Sequence, residues 1–150
     1  MFTDEMIQRI KKHEDFSPIP YTCPAGKLTI GYGTNLEEGI SKEVGELLLN
    51  HTIQSMTLEI AKQFPTILTL DEPRQYVLID MAYNMGVPRL MKFVKTLTFI
   101  KYSKFEQASK EMLDSKWHRD FVAYDMQDGK KFDGLLRSEY LSKIMKEGKY

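Results

Sequence analysis

The chain has 150 residues, 42% of them hydrophobic, with 21 Lys and Arg against 21 Asp and Glu. That length and apolar content support one domain with a sizeable core, and the balanced charge excludes the broad basic field that draws proteins to nucleic acid or an anionic surface. One cysteine rules out an internal disulfide, and His13, His51 and His118 lack metal-site spacing, so neither a metal nor another cofactor is expected.

The first predicted helix runs from Thr3, as N-cap, to the neighbourhood of His13, with Phe2, Met6, Ile7 and Ile10 on one face. Its start carries no apolar h-region, and no apolar run approaches the roughly 20 residues of a membrane span. The reading is a chain made in the cytoplasm, without export signal or transmembrane segment.

Glu14 ends this helix, since Pro18 and Pro20 stop it. Cys23-Pro24-Ala25-Gly26 followed by alternating Lys27 to Gly33 predicts a tight hairpin: Pro24 suits the second position of a type I turn, and Gly26 tolerates the left-handed conformation that closes it. Cys23 and Thr29 then flank one turn. Leu28, Ile30 and Tyr32 are expected on one strand face, with Lys27, Thr29 and Gly31 on a polar face open to a ligand.

A carboxylate at a helix C-terminus faces partial negative charge, and cover by the hairpin would act in the same direction, so Glu14 is expected to favour the protonated form that general-acid catalysis needs. The competing reading is a solvated helix-end residue. Asp15 keeps that plainer role, because adjacent helical residues diverge by about 100°. Gly31 and Gly33 leave the strand end without side chains, which either lets a ligand approach the backbone or serves only to bend the hairpin.

Glu14, eight residues, Cys23, five residues and Thr29, followed by Ile30-Gly31-Tyr32-Gly33, resembles the catalytic signature of the phage-type lysozymes, the endolysins of glycoside hydrolase family 24. The resemblance implies an α+β, mostly helical fold in which a small β-hairpin lobe and a helical C-terminal lobe are joined by a long helix. Within a single domain spanning 1–150, the lobes would be roughly 14–60 and 1–13 plus 65–150, with a substrate cleft between them. It implies hydrolysis of the β-1,4 bond between N-acetylmuramic acid and N-acetylglucosamine in peptidoglycan, lysing the bacterial host. Glu14 would protonate the glycosidic oxygen, Cys23 and Thr29 would manage the attacking water, and Gly31, Tyr32 and Gly33 would bind substrate. A holin is the implied partner for passage of the inner membrane, and a monomer suits the size. Thr34 stands where family members often have His. Many members are strongly basic, so neutrality here leaves wall binding to local contacts.

Cys23 departs most from carboxylate chemistry. A free thiol, with a pKa near ~8.5, is mostly uncharged at neutral pH and serves poorly as a base. Three readings stay open: an activated thiolate beside positive charge, a neutral thiol that helps orient water beside Thr29, and a small buried residue without a catalytic part. The second is favoured. A protease-type nucleophile would need a base, and His13 lacks a third member to support it. Thr29 itself has the plainer reading of a β-branched strand residue.

Past Gly39, Ser41 with Glu43 and Glu46 opens a long helical pattern through Val44, Leu47, Leu48, Ile53, Met56, Leu58 and Ile60, ending near Phe64-Pro65. Twenty-odd residues span about 30 Å, enough to link two lobes. Thr69 or Asp71 then caps a helix with Pro73 in its first turn, ending at Gly86. Its Asn84-Met85-Gly86 ending is similar to the family's second common segment, which makes Tyr83 and Asn84 candidate cleft residues; their plainer roles are core packing and helix termination. Leu90 to Lys101, Phe105 to Leu113 and Leu135 to Met145 show helical spacing, and Ser115-Lys116-Trp117 resembles the family's C-terminal lobe.

From His118 to Gly134 the resemblance thins and no element is assigned. Lys130, Lys131, Tyr124 and Phe132 are weighed as wall contacts against an ordinary surface loop. Arg137 and Glu139 look like the family's late Arg/Glu segment, in which the arginine ties the C-terminal lobe to the active-site side, or else are ordinary surface charges. Three other functions stay in view: a lytic transglycosylase, a catalytically silent wall-binding module, and a helical adaptor.

Overall fold

The computed structural model describes residues 3–128 and 131–150, apart from the side chains of Phe121 and of residues 124–128. Phe2, Lys130 and the Tyr124 side chain therefore lie outside the described residues. The fold is α+β and mostly helical, with one small antiparallel sheet. By internal contact the chain divides into two compact units, Met1–Leu49 and Asn50–Tyr150.

In the first unit, helix α1 (Asp4–Glu14) starts where the Thr3 hydroxyl accepts the Met6 N–H at 3.3 Å, with Asp4 and Glu5 in the first turn and Lys11, Lys12 and His13 in the last. Three strands follow, β1 (Ser17–Thr22), β2 (Leu28–Gly31) and β3 (Thr34–Asn35), paired antiparallel in that order. Between β1 and β2 the predicted turn forms as Gly26 N–H donates to the Cys23 carbonyl at 2.8 Å, with Gly26 at φ +78°. Sequence grouping places residues 1–13 with the helical part; in the structure α1 falls in the unit that holds the hairpin. Tyr32 ties the two together, its ring centroid 5.1 Å from that of Phe16 and 5.6 Å from Lys11 Nζ. A 3₁₀ turn at Leu36–Glu38, capped by the Asn35 side chain, follows β3, and Lys27 pairs with Glu37 at 2.8 Å across it.

Helix α2 (Lys42–Gln63) begins where Ser41 Oγ accepts the Val44 N–H at 3.3 Å and ends before Phe64-Pro65, as its sequence pattern predicts. Beyond a 3₁₀ turn at Pro65–Thr69 the described part of the second unit is built mainly of helices. It contains α3 (Glu72–Met85), the single turn α4 (Val87–Leu90), α5 (Val94–Lys101), α6 (Phe105–Leu113), α7 (Lys116–Asp128) and α8 (Arg137–Glu147). Its core holds Ile60, Leu78, Met81, Ile100, Met112 and Leu141, each with 1% or less of its surface exposed. Burial of this order stabilises by roughly 1.5–3 kcal/mol per large apolar side chain.

The pattern read as one helix over Leu90 to Lys101 is broken at Met91–Phe93, so that α5 starts at Val94. Helix α7 occupies much of the stretch the sequence left unassigned. Ser115 starts it, its hydroxyl accepting the His118 N–H at 3.1 Å. Residues 132–135 then form a tight turn in which Phe132 and Leu135 exchange backbone hydrogen bonds of 2.8 and 2.9 Å, with Asp133 at φ +52° and Gly134 at φ +77°. Among the described residues no helix is long and apolar enough to cross a membrane.

Candidate active site

Glu14 is the last residue of α1 and is exposed, not covered by the hairpin as the sequence reading expects, because the chain turns away at once. Asp15 makes that turn at φ +43°, ψ 156°, a conformation costly for a residue with a Cβ. The Glu14 carboxylate reaches the β2–β3 turn, where Gly33 sits at φ +86°; a Cβ there would fall 3.1 Å from Oε2. Gly31 also has positive φ, but a Cβ on it would meet nothing within 4 Å. Gly33 thus leaves room for the carboxylate, a role that sequence reasoning did not assign to it.

Thr29 is buried, with 4% of its surface exposed, while Leu28 on the opposite face is 44% exposed. This reverses the expectation of an open polar face. The alternation of side chains holds, but β2 is the central strand, and Thr29 lies between its cross-strand partners Tyr21 and Asn35 with its hydroxyl donating to the Lys27 carbonyl at 3.0 Å. The same carbonyl accepts the Cys23 N–H at 2.9 Å, which closes the hairpin end and sets residues 23 and 29 side by side.

Cys23 is half-buried, and its thiol is held below its ordinary pKa. The largest cause is the Lys27 backbone N–H, which stabilises the thiolate; burial opposes it, and the Ala25 N–H and the Thr29 hydroxyl add to it. The thiolate is thus favoured by turn amides rather than by a neighbouring cation. A hydroxyl has one proton, so Thr29 serves the Lys27 carbonyl beside a neutral thiol and turns to the sulfur when a thiolate forms.

Tyr32 is occupied by Phe16 and Lys11, which makes it a tie between helix and sheet. Tyr83 and Asn84, both exposed, belong to the second unit. Asn84 lines a cleft of about 1070 Å³ formed within that unit, together with Arg89, Lys92, Thr96, Trp117 and Phe132. Arg137, weighed as a surface charge, bonds Asp80 on α3 through Nε at 3.0 Å and Nη2 at 2.8 Å, and Glu139 accepts the Leu136 N–H at 2.9 Å to cap α8.

A helix-end glutamate set against a glycine turn, with a thiol and a threonine hydroxyl joined at the neighbouring turn of the same sheet, defines a candidate acid-catalytic site on an α+β, mostly helical fold. The phage lysozyme family model matches residues 11–139, and the chain belongs to this family. It is 31% identical over 83 residues to the probable T4-type lysozyme 1 of Dictyostelium discoideum, covering 53% of this chain and 48% of that one. It is also 29% identical over 84 residues to a probable asparagine synthetase (glutamine-hydrolyzing) of Acanthamoeba polyphaga mimivirus, 55% of this chain and 13% of that one. The chain thus matches less than half the length of each of these relatives.

Proposed function

We propose that this chain is a peptidoglycan hydrolase, a muramidase that cleaves the β-1,4 bond between N-acetylmuramic acid and N-acetylglucosamine and so lyses the bacterial host. The observation that carries this reading is the placement of the Glu14 carboxylate against Gly33, on the sheet that also joins Cys23 to Thr29. Family membership supports the substrate class.

Glu14 donates its proton to the glycosidic oxygen as the bond to the anomeric carbon breaks. Water attacks that carbon from the opposite face, its proton passing to the Cys23 sulfur while Thr29 orients it, which inverts the configuration. This use of Cys23 replaces the neutral thiol favoured from sequence, and the turn amides support it by lowering the thiol pKa and so enlarging the thiolate fraction that accepts a proton. Gly31, Tyr32 and Gly33 serve as glycan contacts along the β2–β3 turn, and Tyr83 and Asn84 are substrate contacts by family resemblance. The protein acts as a monomer on peptidoglycan strands, passing from the host cytoplasm to the wall through a holin pore.

The test is mass spectrometry of fragments released from isolated peptidoglycan by the protein and by Glu14→Gln. Reducing-end muropeptides from the unmodified protein alone are the expected result. Anhydro-muramyl ends would reassign the chemistry to transglycosylation, and the absence of any fragment would leave a wall-binding module.

A further inference from the structure

The cleft inside the second unit carries charge that a neutral glycan does not need. Among the cations lining it, Lys95 pairs with Glu111 at 3.4 Å, Lys116 with Asp120 at 2.6 Å, and Arg137 with Asp80 at 2.8 Å. The remaining acid on its wall, Asp114, lies 4.0 Å from Arg119. Arg89 and Lys92, three residues apart where α4 gives way to α5, have no acidic partner among the described residues. Thr96 is 1% exposed on the same wall, and its Oγ1 has no hydrogen-bond partner among the described residues. Buried polar atoms are nearly always paired, so a cleft whose lining holds an orphaned hydroxyl and two cations with no acid among the described residues is suited to a polar, anionic occupant.

Resting on the hydrolase reading, we infer that Arg89 and Lys92 recognise the free carboxylates of the peptides attached to the glycan, and that the enzyme therefore distinguishes walls with free carboxylates from walls in which they are amidated. In peptidoglycan the N-acetylated sugars are uncharged and the muramyl carboxyl is consumed in its amide to the peptide, so the anionic groups belong to the peptides. Amidation replaces a charge-assisted hydrogen bond by a neutral one and adds donors that face two cations. Arg89 and Lys92 are exposed, so the discrimination is modest in water.

Trp117 is the single tryptophan of the chain and lines the cleft, which supplies the readout. Purified disaccharide-tetrapeptide with free carboxylates, and the same compound with its carboxylates amidated, are titrated by tryptophan fluorescence into the intact protein and into Arg89→Gln/Lys92→Gln. The free-acid probe is expected to bind the unmodified protein about three- to tenfold more tightly than the amide, with the preference shrinking in high salt and vanishing in the double variant. Equal affinity for both probes, no binding of either, or a double variant that weakens both equally would overturn the inference. Reducing ends released from sacculi by the same preparations bear on the hydrolase reading alone: an active enzyme blind to amidation overturns this inference and leaves the hydrolase, whereas an inactive protein that discriminates does the reverse.

Discussion

The Glu14 carboxylate lies so close to the Gly33 backbone that a single added carbon at residue 33 would stand 3.1 Å from Oε2 and 3.8 Å from Cδ. The position of the candidate acid is thus set by two features of the chain, the end of α1 and the missing side chain on the β2–β3 turn. Gly33→Ala displaces the carboxylate and strains a backbone at φ +86°, whereas Gly31→Ala, at φ +67°, strains the backbone only. Each is expected to lose about 1–2 kcal/mol of stability. Turnover on peptidoglycan is expected to fall at least about tenfold further for Gly33→Ala than for Gly31→Ala, the loss that follows when a catalytic group is misplaced. Equal losses in the two variants would remove the positioning role of Gly33.

In the proposed mechanism Cys23 gives turnover a pH dependence of definite direction. Its thiol is held below its ordinary value in the folded protein, chiefly by the Lys27 N–H, so the thiolate population grows as pH rises through that lowered value. Alkylation by iodoacetamide across a pH series should show a midpoint below that of the same thiol in the urea-unfolded protein, and the midpoint should move upward in Thr29→Val, which removes one donor to the sulfur. The turnover profile is expected to rise along the same limb. Cys23→Asp, ionised at lower pH, should extend activity to more acidic conditions, and Cys23→Ser should remove the limb. A turnover profile unmoved by either substitution would take Cys23 out of the proton path.

Tyr76 supplies an alkaline signature of the second unit. Burial, then the negative charge of Asp80 beside it, push its hydroxyl from 10.0 up to about 12. A raised pKa means that the folded state holds the proton more tightly than the unfolded chain. The corresponding stabilisation is complete below pH 10 and is lost as pH rises toward 12. Urea midpoints taken at pH 9 and at pH 11 should therefore fall more steeply for the unmodified protein than for Tyr76→Phe.

Much of this architecture is legible from local patterns. Thr3, Ser41 and Asp71 mark helix starts because a short oxygen-bearing side chain ahead of an amphipathic run satisfies orphan N–H groups, and all three do so here. Cys23 to Gly26 reads as a turn for the same kind of local reason. Helix α7 escaped because its first turns carry Lys116, His118, Arg119 and Asp120, which dilute the apolar period, although Trp117, Phe121 and Tyr124 stand at helical spacing and Ser115 offers a cap. The burial of Thr29 depends on β2 having a neighbour on each side, and β3 is only two residues long, too short to leave a strand pattern. The cations of the second-unit cleft were invisible for a different reason: charge pairing is a property of distance, and Lys95 finds Glu111 sixteen positions away while Arg89 and Lys92 find no acid among the described residues.

Arg74 locks the end of α8 to the start of α3, and the lock constrains the last glycine of the sequence, Gly148. Its guanidinium donates to the Met145 carbonyl at 2.8 Å and the Lys146 carbonyl at 3.0 Å, pairs with Asp71, and lies 3.7 Å over the Phe105 ring. Those carbonyls are among the last of α8, which no helical N–H can satisfy, and the chain leaves the helix through Gly148 at φ +69°. A Cβ on Gly148 would land on the guanidinium, which is held on several sides and cannot step aside without releasing its partners. Arg74→Ala is expected to cost about 2–4 kcal/mol, the range for removing a largely buried, multiply bonded cation. Gly148→Ala should cost a similar amount in the unmodified protein. In the Arg74→Ala background it should cost only the backbone penalty of about 1 kcal/mol, because the group it displaces is gone. Guanidinium chloride unfolding of the four proteins of this cycle measures the coupling, and additivity between the two substitutions would show that Gly148 is required for its backbone conformation alone.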